Sequence, residues 1–323
     1  MTSHFLWPKS DIKKALKLVF FFTSVEKIED EIQQMFPSGF PVLCSSGRSA
    51  LTLALIESNV TRRDLIGVFP YASHCVLDAI SRVATPLPGP AAIQSSLRVV
   101  YHQWGFVQET NLPKNSIEDC VDSLCIPGVT LFPGGGCFEV WSLPKILGTT
   151  SGGLLWCKDE EVAKRIRHLR NSRRGGVFQW ILKLLTLKIG TIYAYWQGAE
   201  CEGGRVSRFQ LGEIITAIRK WDDFVEDRSN KLDKIWPSAL EGLDKPIDRL
   251  PSVVPVGVKH ELLESEIHKY GISSGFRMFE RVEDNSRRKL IKVIPVPIHQ
   301  DIKSSWLVNL INKLDDLKSE LSK

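Results

Sequence analysis

Between residues 41 and 158, short apolar runs bounded by Gly, Pro or Ser alternate with stretches of helical periodicity. That alternation is the pattern of a mainly parallel sheet wrapped by helices, which places the chain in the α/β class. Strands are expected at 41–44, 65–69, 97–102, 116–119, 138–141 and 153–158, with helices opening near Ser49, Cys75 and Glu160. From 208 to 235 the period turns helical, and then Pro237, Pro246 and Pro251 punctuate a loop. A domain change near residue 230 follows, giving a large domain over 1–230 and a smaller α+β domain over 231–323. The latter carries VVPVGV, LLESEIHKYGIS, VIPVPI and a helix over 304–321. No internal repeat or low-complexity tract interrupts this order.

With 323 residues, 43% hydrophobic and 24% charged, the chain can bury a large core. A net charge of +5, with Lys and Arg dispersed among acids, leaves no footprint for nucleic acid. The seven cysteines have no CxxC spacing and mostly sit in apolar surroundings, so they read as packed thiols and neither as a disulfide framework nor as a metal site. The opening MTSHFLWPKSDIKK lacks the pattern of a signal peptide, so a cytoplasmic protein is expected. The longest apolar stretch, WILKLLTLKIGTIYAYW at 180–196, is interrupted by Lys183 and Lys188, and about 20 mostly apolar residues are needed to cross a bilayer. An integral membrane protein is therefore not expected. A buried or interface helix is the plain reading of the stretch, and shallow membrane-surface docking, helped by Arg173 and Arg174, is the alternative.

Three constellations bear on chemistry. In CSSGRSALTLAL, a strand enters a small-residue turn at 45–47 and a helix begins near Ser49. Such a turn presents backbone N–H groups and the positive end of a helix dipole to an anion, although Ser and Gly also open many helices simply as caps. In IEDC, Asp119 falls at the carboxyl end of an apolar strand, the edge where open α/β sheets gather ligands. In FEVWSLPKILGTTSGGLLW, Lys145 lies between a hydrophobic strand and a Gly/Thr/Ser loop. Each alone has a bland reading: a cap, a solvated acid and a surface lysine.

In that order, with Lys145 26 residues after Asp119, the three resemble the motifs of the pyridoxal-phosphate-dependent nucleotide-sugar aminotransferases of the DegT/DnrJ/StrS type. The family's SGT-x-AL is matched by residues 46–51, its EDxAxA by 118–123 and its FSFxxxKxLxxGxGG by 138–153. DEEVAKRIRHLRN, GGRVSRFQLGEI, HKYGISSGF and VIPVPIHQ resemble later segments, and HQWGF at 102–106 resembles a turn beneath the cofactor. The resemblance implies an aspartate-aminotransferase-like type I fold with pyridoxal 5'-phosphate (PLP) as cofactor. Lys145 would be the Schiff-base lysine, and Asp119 the carboxylate facing the pyridine nitrogen. Gly47, Arg48, Ser49 and Ser142 would stand at the cofactor phosphate and Asp122 near the ring hydroxyl. The stacking position falls on Ser73 or, shifted by one, His74. A homodimer with shared active sites, an amino-acid donor such as glutamate and a nucleotide-linked keto-sugar acceptor are further implications. They suggest a role in amino-sugar and surface-polysaccharide synthesis of the O-antigen kind.

Departures from the family are local. Arg48 replaces a Thr, Val140 a phosphate-binding Ser, Gly203 an Asn offered by the partner subunit, and Asp122 a Gln. A single Arg can hold two phosphate oxygens at once, so Arg48 reads as a compensating exchange. The alternative is an Arg48 paired with an acid on the surface or on the partner. The lost donors also motivate a second reading of the whole chain, as a binding or scaffold protein that has kept the fold and lost turnover. A different PLP-dependent sugar reaction is the third; dehydrating relatives replace the lysine with His, and Lys145 argues against it.

Overall fold

The computed structural model describes residues 4–173, 175–186, 189, 191–257, 267–268, 271–283 and 288–320. Its centre is a seven-stranded sheet built from β1 (Phe40–Cys44), β2 (Leu65–Val68), β3 (Thr85–Pro88), β4 (Leu97–Tyr101), β5 (Ile117–Asp119), β7 (Phe138–Ser142) and β8 (Gly153–Cys157). A short β6 (Leu124–Cys125) lies outside it. The order across the sheet is β1-β8-β7-β5-β4-β2-β3. Neighbours from β7 to β3 run parallel, and β8 alone is reversed, pairing antiparallel with β1 and β7. The six strands expected from the sequence are all present. The sequence pattern missed β3 because TPLP carries two prolines, which are tolerated here on an edge strand.

Both faces of this sheet are covered, so its strands alternate between two apolar layers. In β1, Val42 and Cys44 join one buried cluster and Leu43 the other; in β8, Leu155 and Cys157 oppose Leu154 and Trp156 in the same way. Helix α3 (Gly47–Glu57) packs on the first layer along its whole length and opens on Ser46, whose hydroxyl accepts from Ser49 N at 3.1 Å. Helix α6 (Glu160–Ser172) opens on Asp159 with Glu160 and Glu161 in its first turn, a good match to the helix dipole. On the other face, α2 (Val25–Met35) and α9 (Arg208–Ile218) cover a cluster where Trp141, Trp156 and Trp221 meet Phe36.

Helix α10 (Trp221–Ile235) runs through residue 230 without a break. It leads past a short β9 (Arg249–Leu250) to a three-stranded antiparallel sheet of β10 (Val253–Gly257), β11 (Arg277–Val282) and β12 (Arg288–Pro297) in the order β10-β12-β11, followed by α11 (Ser304–Glu320). Of LLESEIHKYGIS, residues 262–266 and 269–270 lie outside the described residues. The apolar stretch after 173 forms α7 (Gly176–Thr186) and α8 (Ile192–Glu202), with Arg174 and Lys188 outside the described residues. Val177, Phe178, Ile181, Leu185 and Ile189 of this stretch are exposed, so it is not a fully buried helix. Among the described residues no helix is long and apolar enough to cross a membrane. All seven cysteines are free thiols.

Candidate active site

Reversal of β8 brings its first residue to the edge where the parallel strands end. Cys44, Val68, Tyr101, Asp119, Ser142 and Gly153 therefore share one rim, and a cavity of about 680 Å³ opens there. Lys145 reaches it from α5 (Leu143–Leu147), a short helix with Pro144 in its first turn that stops on Gly148 at φ +74°. The loop behind α5 is clamped from α9, because the buried Glu213 accepts from Thr150 N at 3.0 Å and from its hydroxyl at 2.6 Å. The buried Arg228 also holds α5, donating to Ile146 O at 3.1 Å.

The lysine amine lies 3.2 Å from Asp122 Oδ1 and 4.5 Å above the ring of Trp7. Asp122 is fully buried and also accepts from Trp7 Nε1 at 2.7 Å and from the Tyr101 hydroxyl. Burial pushes the Tyr101 phenol well above its ordinary range, with the Asp122 carboxylate adding to the effect, so Tyr101 keeps its proton and donates it. Asp119, on the strand end beside them, is raised to about 6. Burial is the main cause; the Lys145 ammonium opposes it and Asp122 reinforces it. The Lys145 ammonium thus contacts Asp122 and acts through its field on a second buried carboxylate, Asp119, a setting that perturbed groups of working sites commonly occupy.

At the opposite corner α3 begins. A Cβ on Gly153 would lie 2.5 Å from Gly47 N, so β8 can run this close to the turn only as glycine, whereas a Cβ on Gly47 would meet Ser142 Cβ at 3.4 Å, an ordinary contact. The turn is held by Ser45 N donating to Gly204 O at 2.9 Å and Gly152 N donating to Ser45 O at 3.0 Å. Ser151 contributes to the cavity wall, and its hydroxyl is buried behind that wall without a hydrogen-bond partner. Val99, Val121, Val140 and Phe69 supply an apolar wall, and Phe276, Met278 and Lys292 close the cavity from the small sheet. Gln103 joins the two halves, donating to Met278 O at 2.8 Å and accepting from Glu280 N at 2.9 Å.

Of the residues expected from the sequence, Gly47, Arg48, Asp119, Ser142 and Lys145 line the cavity, and Asp122 lies behind it against Lys145. Two lie elsewhere. Ser49 is wholly buried, its N–H used by the Ser46 cap, so it faces the core beneath the turn. His74 is exposed as the first residue of α4 (His74–Ser81), and Ser73 lines the cavity instead. Arg48 pairs with an acid, but with one of its own chain inside the cavity wall: its Nη1 donates to Glu200 Oε2 at 3.0 Å. Trp7, Ser151 and Glu200 were invisible to the motif reading. Trp7 precedes the first strand by more than thirty residues, and Glu200 lies 152 residues beyond its partner. Tyr101 carried one signal, its place at the end of an expected strand.

Comparison with known proteins sets this geometry in context. A family model described as "Putative PLP-dependent aminotransferase" matches residues 28–315. No curated protein matches the chain by sequence. Among solved structures, DesV of S. venezuelae superposes with a TM-score of 0.63 at 16% identity, over 98% of this chain and 99% of that one. The aminotransferase TlmJ of Streptoalloteichus hindustanus gives 0.65 at 16% identity over 99% and 100%. The sugar aminotransferase CalS13 of Micromonospora echinospora gives 0.62 at 14% identity over 96% and 99%. These neighbours share the type I fold, and their low identity carries the fold alone. The family match covers well over half of the chain, and this protein therefore belongs to the PLP-dependent aminotransferases.

Proposed function

We propose that the chain moves an amino group from an amino acid, glutamate by preference, to a nucleotide-linked keto-sugar in the synthesis of amino sugars for surface polysaccharides. The observation that carries the reading is the Lys145 amine, held in the cavity beside Asp122 with the buried Asp119 on the strand end. The residues present suit the cofactor. The cavity offers a primary amine, an acid, an apolar wall for a flat ring, and the turn at Gly47, which Gly153 approaches too closely to admit a side chain of its own. At the phosphate corner, Glu200 resists an anion.

PLP, when bound, supplies an electron sink for a carbanion next to the transferred nitrogen. The protein's own part is positional and electrostatic. Lys145 would hold the cofactor covalently through its Nζ and, once displaced by the incoming amine, carry the proton between the two carbons that exchange it. Asp119 would keep the ring nitrogen protonated from a site where a carboxylate is otherwise costly. Asp122, with Tyr101 and Trp7 bonded to it, orients the lysine. Gly47, Ser142 and Arg48 would receive the phosphate at the start of α3. The segment from 231 on, with its small sheet, would form the smaller domain and close the substrate side.

A homodimer belongs to this reading, and the exposed apolar side chains of α7 are surface that a partner subunit would cover. Incubating PLP-loaded protein with glutamate and a panel of nucleotide keto-sugars, followed by mass spectrometry of the sugar, tests the reaction. A product gaining an amine supports it, and 2-oxoglutarate formation without any aminated sugar would reject the acceptor. Sedimentation analysis tests the dimer.

A further inference from the structure

The corner of the cavity that would receive a phosphate contains an acid. Arg48 Nη1 donates to Glu200 Oε2 at 3.0 Å, and Nη2 lies 2.6 Å from Cys75 Sγ. Both terminal nitrogens of the guanidinium, the fork with which an arginine grips two oxygens of one phosphate, are thus engaged by the protein itself. The two charged side chains are only 12% and 10% exposed, and Arg48, Cys75 and Glu200 line the cavity beside Gly47 and Ser142. Charges this sheltered are weakly screened by salt. Glu200 comes from α8, which packs in the same chain across α3 and α4, so the acid is built into this wall and is not a chance surface contact.

We propose that Glu200 acts as an internal competitor for the anion, holding the Arg48 fork and setting a carboxylate beside the phosphate corner, so that the protein binds PLP loosely and exchanges it readily. This rests on the reading of the cavity as a PLP site. A phosphate ester brings nearly two negative charges to the start of α3. To grip it, Arg48 must leave Glu200, and the carboxylate then faces both a lost partner and a like charge. The pair at once supplies the positive charge that replaces the family's neutral donors and limits how much of it a ligand can use. Removing the acid while keeping its shape should therefore tighten binding, which is unusual for a residue of a binding wall.

The test is titration of apo-protein, followed by absorbance, with three probes: PLP, pyridoxal, which lacks the phosphate, and inorganic phosphate as competitor. Glu200→Gln keeps an oxygen for Arg48 to donate to and removes the charge. It should bind PLP about tenfold more tightly, a free-energy gain of the size of one charge-assisted contact. Pyridoxal affinity should stay unchanged, and inorganic phosphate should compete at lower concentration. Unchanged or weaker PLP binding overturns the proposal, and so does an equal gain for pyridoxal, because the effect would then not lie at the phosphate. Should the variant not fold, the wild type still decides: a PLP affinity more than about a thousandfold above that of pyridoxal is what an uncontested charged cradle gives, and contradicts a competitor in the corner. A wild type that never holds PLP in a borohydride-sensitive form rejects the reading of the cavity itself, a different outcome from a cofactor-binding wild type indifferent to Glu200→Gln.

Discussion

Lys145 and Trp7 share one oxygen of Asp122: the amine lies 3.2 Å from Oδ1 and the indole nitrogen donates to the same atom at 2.7 Å. The other oxygen accepts from Tyr101, so both oxygens of this carboxylate are engaged while the lysine side chain remains about one-third exposed. The amine is held in place yet within reach of a ligand.

Lys145→Ala should give a folded protein that cannot be made yellow by PLP and has no turnover. The substitution takes nothing from the core, and Asp122 retains Trp7 and Tyr101. The check is the absorption spectrum before and after borohydride, with circular dichroism for the fold. A variant that still gives a borohydride-sensitive band would move the assignment to another lysine.

Trp7→Phe keeps an aromatic face under the amine and loses only the bond to Asp122, so a loss of roughly 1 kcal/mol in urea unfolding is expected. Trp7→Ala also uncovers the amine. Borohydride should reduce the PLP-loaded Ala variant several times faster than the wild type, while the Phe variant stays near it. Equal rates in all three would show that Trp7 does not cover the site.

The raised Asp119 gives a stability prediction with a definite sign. Its folded value of about 6 exceeds the ordinary 3.8, so between those values the folded state binds more protons than the unfolded one and stability falls as pH rises. The cost is absent below about pH 4, grows up to about pH 6 and is constant above it. Asp119→Asn has no such cost, so the apo variant should gain on the order of 2–3 kcal/mol over apo wild type at pH 8 and most of that gain should vanish near pH 4. Paired urea titrations across that range measure it, and a gain independent of pH would refute the burial account.

Glu139 and Arg249 form a buried pair at 2.7 Å beneath the sheet, and Glu139 also accepts from Trp141 Nε1 and Phe132 N. Arg249→Met strands that carboxylate and should cost about 3–5 kcal/mol. PLP affinity of the folded fraction should be unchanged, because neither residue lines the cavity. A large affinity loss at constant stability would assign the pair to the site instead.

How far the sequence reaches depends on where the signal is stored. The parallel strands were legible because both faces are buried and their apolar runs are continuous; 41–44 and 153–158 differ by one residue each from β1 and β8. The direction of β8 was not legible, since strand polarity is set by the connection and leaves no mark in an apolar run. Lys145, Asp119 and Gly47 stood out through local motifs. The stacking position stayed open between Ser73 and His74 because the two flank a helix start, and of the pair only Ser73 lines the cavity. Glu200 and Trp7 reach the cavity through contacts more than a hundred residues apart in sequence, and neither sits in a pattern that announces such a contact.

The stretch from His4 to Lys9 is bonded at three of its residues to the far end of the chain: His4 pairs with Gly271 and Ser273, Phe5 O accepts from His299, and Lys9 N donates to Asp301. Such contacts carry the largest loop-closure entropy a chain of this length can have, and contacts of that kind form late. During synthesis the terminal contacts that fix Trp7 beneath Lys145 can all close only after residue 301 has been made, whereas the strand ends that carry Lys145, Asp119 and Gly47 have been made by residue 157. The newborn protein would thus pass through a period in which the strand ends of the rim are made but the indole is not yet fixed against them, and a cofactor arriving in that interval meets no indole in its way.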